Sequence, residues 1–272
     1  MNALLYRPGP PLEESVSCFW LSEEGRASVS KERVLPSGAL SLVISLREDR
    51  FFIYGPDERT RLASLPGAIV SGAHPTPFAM DVPARGLAIG VCFRPGGAVP
   101  FLGVPAHEFE GKQVGLDALW GRAAALLREQ LIEASSPHEQ FHMLEVFLLA
   151  RRRYARPTHP GVAMALRAFG DPSLRSVAEV NGLTGLSPKR LIALFRAEVG
   201  LGPKTFWRVR RFREALRRLE PGGPIRGAEL ALDCGYCDQA HFNRDFRHFA
   251  GLSPREYLVQ GLARPNHIRL AG

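Results

Sequence analysis

Shifted by 51 residues, the second half of the chain matches itself. Leu191 and Phe195 fall on Phe242 and Phe246, Gly200 and Leu201 on Gly251 and Leu252, Pro203 on Pro254, and Phe206 on Tyr257. Two copies of one helical unit are implied, and no other feature restricts the folding of this region as much. In each copy a capping residue, Ser187 or Asp238, opens a helix of about a dozen residues. That helix stops at a glycine, after which a proline starts another.

The two capped helices carry the functional signal. At about 100° per residue, Phe242, Phe246 and Phe249 gather on one side of the second, leaving Ala240, Asn243, Arg244 and Arg247 outward and His241 and His248 at the flanks. The first buries Leu191, Leu194 and Phe195 and turns Lys189, Ile192, Ala193 and Arg196 outward, with Arg190 beside them. A small residue lets a helix approach the bases, arginine can donate two hydrogen bonds to guanine, and an asparagine or glutamine amide can pair with adenine. Short helical segments, Val177 to Asn181 and Ala228 to Cys234, precede the capped helices. Short helix, turn and capped helix is the helix-turn-helix plan, whose second helix enters the major groove.

The segment ELALDCGYCDQAHFNRDFRHFAGLSPREYL, residues 229 to 258, resembles the signature of the AraC-type (AraC/XylS) transcriptional regulators, and LSPKRLIALFRAEVGLGPKTF, residues 186 to 206, resembles their first unit. The resemblance covers about residues 160 to 262. It implies a seven-helix domain with two helix-turn-helix units held by a long central helix, about Pro203 to Leu219. It also implies that Lys189, Arg190, Ile192, Ala193 and Arg196 lie on one recognition helix and Gln239, Ala240, His241, Asn243 and Arg244 on the other, where helical spacing adds Arg247 as a further DNA-binding candidate. Ile192 and Ala193 depart from the pattern in being apolar, which suits thymine methyl groups.

Charge divides the same way. Residues 1 to 156 hold 17 Lys+Arg and 17 Asp+Glu, whereas residues 157 to 272 hold 18 and 10, so the net +8 lies wholly in the second part. The asymmetry suits either a neutral domain joined to one that meets a polyanion or a solvated basic surface, and charge alone does not choose between them. Trp207 and Phe206 beside Arg208, Arg210 and Arg211 read as core and phosphate-facing positions of the central helix.

The first hundred residues have the period of strands. Leu40, Leu42, Ile44 and Leu46 alternate with small or polar neighbours, as do Leu87, Ile89, Val91 and Phe93, and Pro/Gly pairs at 55–56, 66–67 and 95–97 mark turns. From Leu116 the spacing turns helical: Leu119, Ala123, Leu126, Leu127 and Leu131 form one stripe and Phe141, Leu144 and Leu148 another. RRRYARPTHPG, residues 151 to 161, reads as a linker. The expected fold is α+β: a mostly antiparallel β barrel or sandwich at 1–114, sensor-like in its resemblance to the amino-terminal regions of such regulators, and a helical extension and linker at 115–156. An all-α DNA-binding domain at 157–272 follows, with units at about 173–200 and 224–251.

Two motifs compete with this reading. His138, Glu139 and His142 spell the H-E-x-x-H of zinc hydrolases, but Ser136, Pro137 and Glu139 also make a helix start with capping-box spacing. Catalytic zinc needs a third protein ligand, which the sequence does not identify. Cys234 and Cys237 form a C-x-x-C without a second ligand pair nearby and read as a packed and a turn cysteine. With Cys18 and Cys92 they are the only cysteines, too few for a disulfide framework and expected to be reduced.

The chain is therefore expected to be a bacterial sequence-specific DNA-binding transcriptional regulator, not an enzyme, without cofactor or metal. Expected partners are double-stranded DNA, a small-molecule effector, RNA polymerase and a second copy in a homodimer, monomeric binding being the alternative. Trp20, His74 and Arg94 are the candidate effector residues. No apolar run is long enough to span a bilayer, so a cytoplasmic, nucleoid-associated protein is expected. The alternatives are a zinc-dependent hydrolase built on the HEQFH stretch and a basic protein-interaction module.

Overall fold

The computed structural model describes residues 2–25, 29–55, 57–152, 157–171, 173–174, 176–219, 227–261 and 266–270. The centre of the expected linker, 153–156, and positions 224–226 of the second unit lie outside these residues.

Among the described residues eleven strands form two antiparallel sheets. They are β1 (Asn2–Tyr6), β2 (Val16–Glu23), β3 (Ser30–Val34), β4 (Ser41–Ser45), β5 (Arg50–Tyr54), β6 (Arg61–Pro66), β7 (Ala68–Ser71), β8 (Phe78–Val82), β9 (Leu87–Phe93), β10 (Gln113–Gly115) and β11 (His267–Arg269). The six-stranded sheet runs β1-β2-β9-β4-β7-β10 and the five-stranded one β11-β3-β8-β5-β6. The alternation seen in the sequence sets the register: Phe19, Val91 and Leu42 form one cross-strand row and Leu21, Ile89 and Ile44 the next, all buried.

One short helix, α1 (Val99–Leu102), lies within the first 114 residues, and the helical extension comprises α2 (Asp117–Trp120), α3 (Arg122–Glu133) and α4 (Pro137–Arg151). Phe141 of α4 stacks on Tyr6 and Phe19, with centroids at 5.4 and 6.4 Å, so α4 packs on the β1–β2 side of the six-stranded sheet. The expected stripe of α3 is corrected at two points. Gly121, with φ +55°, separates Leu119 onto α2, and Leu126 faces outward, while Ala124, Leu127 and Leu131 are buried.

Seven helices follow: α5 (Pro160–Ala168), α6 (Val177–Thr184), α7 (Pro188–Val199), α8 (Pro203–Arg218), α9 (Gly227–Asp233), α10 (Gln239–Ala250) and α11 (Pro254–Gln260). α8 is the central helix and joins two aromatic cores. Phe206 packs edge-on to Phe195 at 5.3 Å and beside Phe169, and six residues further on Phe212 packs against Phe246 and Phe249 at 5.3 and 5.2 Å. Residues matched at the 51-residue offset, Phe195 and Phe246, thus rest on one helix about 9 Å apart along its axis.

One element falls outside the expected division. β11, from beyond the last helix, pairs with β3 in the five-stranded sheet, Ile268 opposite Arg33 and fully buried. No helix among the described residues is long and apolar enough to cross a membrane.

Candidate nucleic-acid interface

α7 and α10 start and stop by the same devices. Ser187 Oγ accepts from the Arg190 N–H at 3.3 Å, and Asp238 Oδ1 accepts from the His241 N–H at 2.6 Å, each satisfying a backbone donor with no partner inside its helix. Gly200 and Gly251 end them at φ +91° and +70°, in the left-handed region where a side chain is strained. Their apolar faces are buried: Leu191, Phe195 and Val199 in α7, and Phe242, Phe246 and Phe249 in α10.

The opposite faces are open. Lys189, Arg190, Ile192, Ala193 and Arg196 of α7 are exposed, and so are Gln239, Ala240, Asn243, Arg244 and Arg247 of α10. His241 differs from its neighbours. It is half-buried, edge-on to Tyr236 at 5.2 Å and 3.9 Å from Asp245, so part of its ring supports α10. An open groove of about 650 Å³ is lined by Gln239, Asn243, Arg244, Arg247, His248 and the start of α11 at Ser253 to Arg255, with no acidic side chain. Gln239 lies against the start of α9, where a Cβ on Gly227 would stand 2.5 Å from its amide nitrogen.

Two arginines of α8 expected to face phosphate are structural. Arg208 donates to both oxygens of Asp245, a carboxylate buried inside α10 that the sequence reading passed over. Arg211 donates to the Gly235 carbonyl at 3.0 Å and stacks over Trp207 and Tyr236. Arg210 is exposed. Arg255 was also missed, although the 51-residue offset places it on the exposed Lys204 and could have revealed it.

Both helices touch the first half of the chain at their C-terminal ends. Arg196 Nη2 donates to Glu110 Oε2 at 2.8 Å. Arg33 of β3 donates to the Ala250 carbonyl at 2.8 Å, and its guanidinium lies where a Cβ on Gly251 would reach, at 2.7 Å.

The three candidate effector residues engage different neighbours. His74 is buried, its Nε2 3.1 Å from the Gln113 amide nitrogen and 3.3 Å from Ser71 Oγ, with its ring 4.4 Å from that of Phe78. Burial holds its pKa down at about 4. Arg94 is exposed and donates to the Glu13 carbonyl, whereas Trp20 lies over Gly90 on the six-stranded sheet.

At the HEQFH stretch, Ser136 Oγ accepts from the Glu139 N–H, and the Glu139 carboxylate turns back to the N–H and hydroxyl of Ser135, which hold its pKa down. The reciprocal arm of the capping box thus lands one residue before the cap. Among the described residues no group of three His, Cys, Asp or Glu side chains could hold a metal ion. Cys234 is buried and Cys237 exposed.

Residues 5–115 match a domain of unknown function, DUF6597, and residues 182–260 match a helix-turn-helix domain family. No curated protein sequence matches the chain. Among solved structures, the chain is similar to ToxT from Vibrio cholerae at 11% identity, covering 89% of this chain and 97% of that one with a TM-score of 0.49. It is also similar to the xylose-binding transcription activator xylR, at 21% identity over 55% and 40% with a TM-score of 0.33. The AraC-like transcriptional activator CuxR gives 14% identity over 78% and 86% with a TM-score of 0.27. The helix-turn-helix match spans α7 to α11 and so contains both exposed helix faces.

Proposed function

We propose that residues 182–260, which match a helix-turn-helix domain family, are the DNA-reading part of an AraC-type regulator, with α7 and α10 in successive major-groove segments about one helical turn apart. In α10, Gln239 and Asn243 stand one turn apart as amides suited to adenine, Arg244 serves guanine, and Ala240 permits close approach. In α7, Lys189, Arg190 and Arg196 supply cations while Ile192 and Ala193 meet thymine methyl groups. Arg247, Arg255 and Lys204 contact phosphate, positioning the protein without reading sequence.

The observation that carries this reading is the pair of matched, capped helices whose outward faces combine cations, amides and small residues, one of them lining a groove without an acidic side chain. In the same proposal residues 157–272 are the DNA-binding domain, 1–114 a sensor-like domain and 115–156 the helical extension and linker. The sensor-like part answers to a small-molecule effector or to dimerisation, with Trp20, His74 and Arg94 as its candidate residues. The regulator works in the cytoplasm on the nucleoid, with RNA polymerase as a further partner.

The test is fluorescence anisotropy of the full chain on duplexes selected from a random pool, with a salt titration. The full chain is needed because β11 completes the five-stranded sheet. A selected site bound at least about a thousandfold above background is expected, with a log-log salt slope near −0.9 per phosphate contacted. Equal weak binding to every duplex would overturn the reading. Arg244→Ala should relax preference at one base position by about 1–3 kcal/mol, whereas uniform weakening would move Arg244 to the phosphate backbone.

A further inference from the structure

On the face of the six-stranded sheet away from α4, Cys18 of β2 stands directly opposite Cys92 of β9. Directly opposed residues on antiparallel strands keep their Cα atoms about 4.5–5.5 Å apart, and a disulfide spans about 4.4–6.8 Å. The Cα separation of such an opposed pair thus lies within the range that a disulfide bridges. Both cysteines are free and half-buried. Their thiols hydrogen-bond to each other, and the Trp20 side chain hydrogen-bonds to Cys92. Trp20 is seated for this by Gly90, where a Cβ would lie 2.4 Å from the indole ring.

The two thiols are unequal. The hydrogen bond from Cys92 lowers the pKa of Cys18 to about 7, with the Arg7 charge acting the same way and burial opposing. That same hydrogen bond, with burial, pushes Cys92 up, while Trp20 and the guanidinium of Arg213 on α8 act against the rise. Cys18 is thus the sulfur favoured as the thiolate and Cys92 the one favoured to keep its proton, the division of labour between an attacking and a resolving thiol.

We propose that Cys18 and Cys92 form a dithiol site that a peroxide oxidises to a cross-strand disulfide. The Cys18 thiolate attacks one peroxide oxygen: an S–O bond forms, the O–O bond breaks, and hydroxide leaves and becomes water by taking up the proton that Cys18 released to solvent on ionising. Cys18 is then a sulfenic acid. The Cys92 sulfur next attacks the Cys18 sulfur, forming the S–S bond as the S–O bond breaks, and the departing hydroxide takes the Cys92 proton to become water. Overall the two thiols lose two electrons and two protons, and hydrogen peroxide is reduced to two waters. A small dithiol reverses the change by exchange. The charge of Arg213 on α8 acts on Cys92, and Arg213 also donates to the side chain of Asn266, just before β11, which links the site electrostatically to the central helix.

The test uses the full chain, reduced, freed of reductant and treated with hydrogen peroxide, followed by intact mass and peptide mapping after alkylation. The expected result is a loss of about 2 Da, the two hydrogens removed, with the Cys18 and Cys92 peptides joined and dithiothreitol restoring both thiols. Joining should persist in the C234S/C237S double variant and vanish in C18S, where Cys92 stays open to alkylation. The proposal is overturned if peroxide leaves both Cys18 and Cys92 alkylatable. It is equally overturned if Cys18 goes on to sulfinic acid while Cys92 stays free, or if the only joined peptides carry Cys234 or Cys237.

Discussion

Arg208 Nη2 donates to Asp245 Oδ1 at 2.8 Å while its Nε lies 3.3 Å from both oxygens, which ties the central helix α8 to the inward side of α10. The carboxylate is buried, with Arg211 a further 3.9 Å away, but a third of the Arg208 side chain remains exposed. Breaking a fully buried pair costs about 3–5 kcal/mol, and the exposed part of Arg208 can return to water. Asp245→Ala is therefore expected to destabilise the protein by about 2–3 kcal/mol, read as a lower urea midpoint. An unchanged midpoint would show that the pair does not hold α10.

The cap of α10 gives a sharper comparison. Asp238→Ala removes the acceptor for the His241 N–H and is expected to cost about 1 kcal/mol, whereas Asp238→Gly should cost only a few tenths. Equal losses in chemical denaturation would mean that the aspartate side chain is not the cap.

Glu110 holds Arg196 of α7 through a contact that is about half exposed on the arginine side. Ion pairs of this kind contribute about 0–1 kcal/mol. Glu110→Gln should therefore free Arg196 and tighten binding of the selected duplex by at most about fivefold, with the gain shrinking as salt rises. Weaker binding in this variant would assign Glu110 a role in positioning α7.

His74 makes stability depend on pH. Its ring stays neutral in the folded chain to about pH 4, whereas an unfolded histidine protonates near about 6.5. Between these values the unfolded chain binds the extra proton, so stability is full above about pH 6.5 and falls as pH drops, by about 3 kcal/mol across the window. Protonation would also place a hydrogen on Nε2, where the Gln113 amide donates. His74→Gln should flatten this part of the stability curve. A variant curve parallel to the parent's would show that His74 is not the group responsible.

The sequence displayed what depends on local period. Caps, left-handed glycines, prolines and aromatic spacing located α7, α8 and α10 nearly to the residue, because each is set by neighbours within one or two turns. Strands β4 and β9 were legible for the same reason. What escaped depends on partners far along the chain. Asp245 lies 37 residues from Arg208 and Glu110 lies 86 from Arg196. Nothing within one helical turn of either acid reveals its partner, so Arg208 and Arg211 read as phosphate-facing cations. Leu126 was misplaced because Gly121 restarts the helix and rotates its apolar face.

The pairing of β11 with β3 bears on how the protein is made. Residues 267–269 must meet residues 32–34 across a separation of more than 200 positions, the kind of contact that forms slowly. During synthesis the five-stranded sheet keeps the β3 edge unpaired while all seven helices emerge from the ribosome, and an unpaired edge is open to other chains. Only a chain that has already produced its helix-turn-helix segment can close that edge. Completion of the first domain therefore reports that the second has been translated.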